Sequence, residues 1–156
     1  LAYALDRGDF RLYEIILDAD AGISIGDDIT VDRSDDRFEH VGEVEYEDLS
    51  GGAQSELEYV VEDLVDEEEG RFVDFYNDAQ PITLRLHQLN LLPGIGKKLR
   101  NSILDERKRR PFDSFEDLED RVNGLHSPRE VIVERILEEI REDDLKYRTF
   151  ARHEDA

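Results

Sequence analysis

The chain has 156 residues, with 41 acidic and 20 basic side chains and a formal net charge of −21 at pH 7. It holds no cysteine, which excludes disulfides, thiol catalysis and Cys-ligated zinc or iron–sulfur clusters. No apolar run approaches the roughly 18 residues of a membrane-crossing helix, so the expected protein has no membrane partner.

In chain order, residues 10–17 are rich in β-branched and aromatic side chains and predict a strand. Residues 20–22 predict a turn, Ile29 to Val31 a short strand, and residues 32–37 a polar loop. His40 to Tyr46 predicts a third strand with Gly42 as a candidate bulge. Residues 1–50 therefore read as a small β-unit with too few strands to close a barrel alone. The chain opens on Leu1 and lacks methionine, so residues N-terminal to it are expected to be missing.

From residue 53 the apolar period becomes helical. Leu57, Val60, Val61, Leu64 and Val65 form one stripe. Arg71 to Asn77 predicts a short helix whose Phe72, Phe75 and Tyr76 pack in a core. Pro81 suits a first helical turn, and Ile82, Leu86 and Leu89 continue a face to Leu92. A break at residues 92–96 precedes a helix from Lys97 to Arg110. Ser114 caps a helix bearing Phe115, Leu118 and Val122. Ser127 to Glu130 reads as a capping box before a helix burying Ile132, Ile136, Leu137 and Ile140. Residues 143–156 read as a charged tail, extended or frayed.

Residues 89–103, Leu-Asn-Leu-Leu-Pro-Gly-Ile-Gly-Lys-Lys-Leu-Arg-Asn-Ser-Ile, resemble the helix-hairpin-helix motif. Gly94 and Gly96 would permit backbone angles closed to other residues and let a phosphate approach the main chain. Ile95 would plug the hairpin. The amides opening the next helix lie at the positive end of its dipole, an anion site. Lys97 and Lys98 can then reach phosphate oxygens, and Arg100 can extend the contact. The basic cluster Arg107, Lys108, Arg109 and Arg110 is assigned to further phosphate contacts.

Gly94 on Gly124 aligns Leu92 with Val122, Ile95 with Leu125 and Ile103 with Val133. This predicts a degenerate second hairpin at 115–142, partner to the first at 82–110, within a helical domain of residues 53–142. The second copy carries His126 for Gly96 and lacks the lysines.

The β-unit, Ser55 to Val61, Asn77 to Arg85, Leu91 to Lys97, Arg110 to Asp117 and Lys146-Tyr-Arg, in that order, resemble an archaeal family. It is the domain of unknown function family 655, described as predicted nucleic-acid-binding proteins with an OB-fold. The resemblance implies an α+β chain: an OB-like small β-barrel at 1–50 followed by an all-helical helix-hairpin-helix domain. It also implies RNA, in translation or ribosome biogenesis, as the favoured target.

Charge distribution agrees with that placement. Residues 1–80 carry 5 basic and 25 acidic side chains, whereas residues 81–156 carry 15 and 16. The 16 Arg, only 4 Lys and abundant Asp and Glu suit a haloarchaeal cytoplasm. At molar salt the Debye length falls to about 3 Å, so short bonds from fixed amides outlast long-range steering. The expected function is non-catalytic binding, with no cofactor and no metal, since the four histidines lack ligand spacing. Binding of duplex or branched DNA in repair is the first alternative. An acidic adaptor for ribosomal or other basic proteins is the second.

Overall fold

A computed structural model of the chain describes residues 1–18, 21–30 and 37–151. The architecture is mixed α+β, with three antiparallel strands and five α-helices among these residues. The strands are β1 (Ala2–Leu5), β2 (Leu12–Leu17) and β3 (Phe38–Val44). The helices are α1 (Gly51–Glu67), α2 (Glu69–Asp78), α3 (Lys97–Arg109), α4 (Phe115–Arg121) and α5 (Pro128–Arg141). Short 3₁₀ turns cover Tyr46–Asp48 and Gln88–Leu91. Two units are distinguishable, residues 1–60 with 139–156 and residues 61–138. The divisions fall within α1 and α5.

In the first unit the strand order is β1-β2-β3. Ile15 pairs with Ala2 on one side and Val41 on the other, and Leu12 with Leu5 and Val44. The sheet is open among the described residues; no barrel closes there. Gly42 pairs regularly with Glu14, and the register slips instead between Ile16 and Leu17. Ile29 and Thr30 are not in a strand, while Val31 and the loop at 32–36 lie outside the described residues. Phe10, Leu12, Ile15 and Phe38 are buried.

The tail, expected to be extended or frayed, is docked as far as Ala151 without helix or strand. Glu139 is fully buried, and its Oε1 accepts the amides of Thr149, Phe150 and Ala151 at 2.9, 2.8 and 2.9 Å. Arg148 donates to the carbonyls of Glu139 and Glu142, which are α5 end groups otherwise lacking intrahelical partners.

In the second unit Phe72 and Tyr76 of α2 are core residues, as their spacing predicts. The Tyr76 hydroxyl donates to Pro128 O at 2.9 Å, and burial pushes its ionisation well up. Asn77 clamps Phe112, donating to its carbonyl at 3.0 Å and accepting its amide at 2.7 Å. Ser114 Oγ caps α4 by accepting the Asp117 amide at 3.0 Å.

The helix expected from Pro81 onward does not form. Pro81 instead makes an isolated antiparallel bridge with His87. Thr83 Oγ1 accepts the amides of Arg85 and Leu86 at 3.3 and 3.0 Å. A side chain that captures local backbone donors competes with the helical ladder, so only the 3₁₀ turn at Gln88–Leu91 precedes the glycine bend.

Candidate nucleic-acid interface

The bend is built by three buried apolar residues and one asparagine. Leu89, Leu92 and Ile95 are 0%, 2% and 4% exposed, which anchors the segment from below. The Ile95 amide donates to Leu92 O at 3.2 Å. Asn90 ties the rest together: its Oδ1 accepts the His87 amide at 3.0 Å and an Arg100 guanidinium N–H at 3.1 Å. Its Nδ2 donates to Ile95 O at 3.2 Å.

Gly94 adopts φ +80°, a left-handed angle that glycine takes without steric cost. Gly96 has φ −90°, which any residue adopts, so its role differs from the one expected. It caps α3, and the space a Cβ would occupy at either glycine has no neighbour within 4 Å. Gly94, Gly96, Lys97 and Lys98 are all exposed. No side chain caps α3, and the first intrahelical amide is that of Arg100, donating to Gly96 O at 2.9 Å. The amides of Lys97, Lys98 and Leu99 are therefore left at the positive end of the α3 dipole, open to an anion.

The remaining predicted residues divide by their partners. Arg100 is half-buried and held by Asn90, so it positions the bend. Arg107 is half-buried and donates to Tyr76 O at 3.1 Å. Lys108 is exposed. Arg109 lies 3.7 Å from Glu106. Arg110 lies 3.4 Å from Asp117, whose carboxyl is held below its usual range first by the Asp113 amide and then by Arg121. The run 107–110 is thus not one cationic patch, because helical geometry sends successive side chains to different neighbours. Asn90 and Arg85 escaped the sequence reading. The signal for Asn90 is its place three residues after the capping His87.

His87 Nδ1 accepts the Leu89 amide at 3.0 Å. Burial, then the cations of Arg107 and Arg100, hold its imidazole below the ordinary value. The unfolded value is about 6.5. The neutral ring therefore supports the fold above that pH, and this contribution is lost as pH falls from there through the folded value. His87→Asn keeps a capping acceptor that does not titrate. Urea unfolding on either side of about pH 6.5 should show a shallower acid decline in the variant; an unchanged decline would remove His87 as its source.

The bend predicted as a second hairpin repeats the backbone of the first bend up to its buried apolar residue. Gly124 has φ +90°, Val122 and Leu125 are 1% and 2% exposed, and the Leu125 amide donates to Val122 O at 3.3 Å. Beyond that the register moves by one. The Val131 amide donates to Ser127 O at 3.1 Å, as Arg100 does to Gly96, so Ile103 aligns with exposed Glu134 rather than Val133. Pro128 has no amide to offer, and Arg129 is bound to Asp66 at 2.5 and 2.9 Å. Among the described residues no cluster of three or more His, Cys, Asp or Glu could hold a metal. No described helix is long and apolar enough to cross a membrane.

An α+β chain with an exposed, acid-free glycine bend is the class that these features define. Residues 1–152 match the family model described as protein of unknown function DUF655, and the chain belongs to that family. It is similar to an uncharacterised protein of Methanocaldococcus jannaschii, 38% identical over 145 residues, covering 92% of this chain and 66% of that one. It thus spans just under two thirds of that relative's length. It is also similar to the crystal structure of Af1531 from Archaeoglobus fulgidus, with a TM-score of 0.79 and 38% identity, covering 97% of this chain and 85% of that chain. Both relatives are archaeal.

Proposed function

We propose that this protein binds nucleic acid without catalysing a reaction, holding a backbone phosphate at Gly94 to Lys98. RNA is the favoured polymer, in a translation or ribosome-associated role. The observation that supports this most is a local absence of acid. Residues 79–104 contain no Asp or Glu, although the whole chain has 41. Within and just beyond that stretch, Arg85, Lys97, Lys98, Arg100, Arg107 and Lys108 form no ion pair with a described carboxylate. Most described cations elsewhere pair with a carboxylate, as Arg121 does with Asp117 at 3.0 Å and Arg141 with Glu58 at 2.7 Å. A solvated acidic surface with an unneutralised basic stretch suits a polyanion at that stretch and repels it where carboxylates dominate.

On this reading residues 88–109 act as a helix-hairpin-helix, with the first helix reduced to a 3₁₀ turn. The β1-β2-β3 meander is part of an OB-like barrel. The acid excess fits the cytoplasm of a salt-loving archaeon.

The test is charge reversal. Lys97→Glu with Lys98→Glu should weaken binding to a short structured RNA at least about tenfold, with the log–log salt slope reduced by about 2. Fluorescence anisotropy over a KCl series reads both. Equal affinity and slope in the variant would refute the assignment.

A further inference from the structure

The acid-free stretch begins well before the glycine bend, and its first part offers no phosphate-binding amide cluster. That part is the loop from Pro81 to His87. It is tightly closed. Besides the Pro81–His87 bridge and the two bonds to Thr83 Oγ1, the amides of Ile82 and Thr83 both donate to Leu86 O, at 2.7 and 2.9 Å. Gln80 and Gln88 exchange bonds beneath it, Gln88 N to Gln80 O at 2.9 Å and Gln80 N to Gln88 Oε1 at 2.7 Å. The loop then runs directly into His87 and Asn90, the residues that set the bend.

What this closure presents is Leu84, with a relative exposure of 106%, followed by Arg85, which has no ion-pair partner among the described residues. A single exposed leucine is unremarkable by itself. Here the ordering of the loop buries nothing of Leu84, so its free energy of burial is left for a bound partner.

We propose that Leu84 is an apolar wedge that enters a broken base stack in the RNA held by the glycine bend, with Arg85 on the adjoining backbone. The preferred substrate is a stem interrupted by unpaired nucleotides. Apolar side chains inserted at base steps must offset the cost of unstacking, and at a bulge that cost is already partly met. RNA is read chiefly at such splayed positions. The lack of Asp and Glu in residues 79–104, with Arg85 in the loop itself, favours a nucleic acid over a basic protein. The inference rests on the phosphate-binding reading above.

The experiment uses the full chain and an RNA stem with a bulge flanked by 2-aminopurine, its uninterrupted counterpart, and the DNA version of each. Wild type should raise 2-aminopurine fluorescence on the bulged RNA and bind it more tightly than the continuous stem. Leu84→Ser should abolish the fluorescence rise and bind the bulged stem roughly tenfold more weakly, with an unchanged unfolding midpoint because the residue is exposed. Leu84→Ile should restore both. A Leu84→Ser protein with wild-type fluorescence response and affinity overturns the wedge and returns Leu84 to a protein-contacting surface. An equal response on the DNA stem overturns the choice of RNA. Full binding by the Lys97→Glu, Lys98→Glu protein refutes the phosphate site instead, whatever Leu84 does.

Discussion

Glu139→Ala should destabilise the unit formed by residues 1–60 and 139–156 by about 3–5 kcal/mol. Three amide donors, those of Thr149, Phe150 and Ala151, converge on one oxygen of a carboxylate that has no solvent exposure. Removing it orphans all three and leaves a void beside them. Each buried unsatisfied group costs about 1–3 kcal/mol, less where water can reach it. Water reaches Thr149 and Phe150 more readily than Ala151, whose residue is 1% exposed. Glu139→Gln keeps an acceptor of similar shape without the charge. It should cost about 1–2 kcal/mol, since bonds to charged groups are the stronger ones. Hydrogen exchange at 149–151 gives the most direct measurement. Their protection should collapse in the alanine variant and fall only in part in the glutamine variant. Protection equal to wild type in Glu139→Ala would show that the tail is held by something else.

That latch was invisible in the sequence because it depends on one glutamate among 20. Nothing local marks Glu139; only the packed surroundings of α5 distinguish it from Glu138. The helices were legible for the opposite reason. Leu57, Val61, Leu64 and Val65 recur at helical spacing and are all buried, with Val60 of the same stripe exposed, and Ile132, Ile136 and Ile140 are buried likewise. Strand β1 was missed because Ala-Tyr-Ala-Leu has little strand character of its own and is set by pairing with Leu12 to Ile15. The helix from Pro81 to Leu92 was wrongly expected because Ile82, Leu86 and Leu89 happen to keep the period, while Thr83 Oγ1 takes two amide donors that a helix would need. At the candidate site, the bend and its lysines were readable as a motif. The different partners of Arg107, Arg109 and Arg110 were not, since adjacent residues in sequence point to different neighbours on a helix.

Ile95→Ala should cost about 2–5 kcal/mol, and Ile95→Val about 0.5–1.5. Ile95 is 4% exposed and sits between two residues whose backbone faces the candidate phosphate. Its carbonyl is held by Asn90 and its amide by Leu92, so the void left by truncation falls directly beneath the bend. Leu125→Ala provides the comparison, because Leu125 plugs the second hairpin in the same way and is 2% exposed. The two truncations should therefore lower the urea midpoint by similar amounts. Their effects on RNA binding, measured well below either midpoint, should differ. The second hairpin has proline where an amide would be needed, and its nearest cation is already held by Asp66. Loosening it removes no donor from the ligand. Ile95→Ala should weaken binding by roughly tenfold beyond any loss in Leu125→Ala, about 1.4 kcal/mol. Equal losses in both variants would move the binding surface from Gly94–Lys98 to the hairpin pair as a whole.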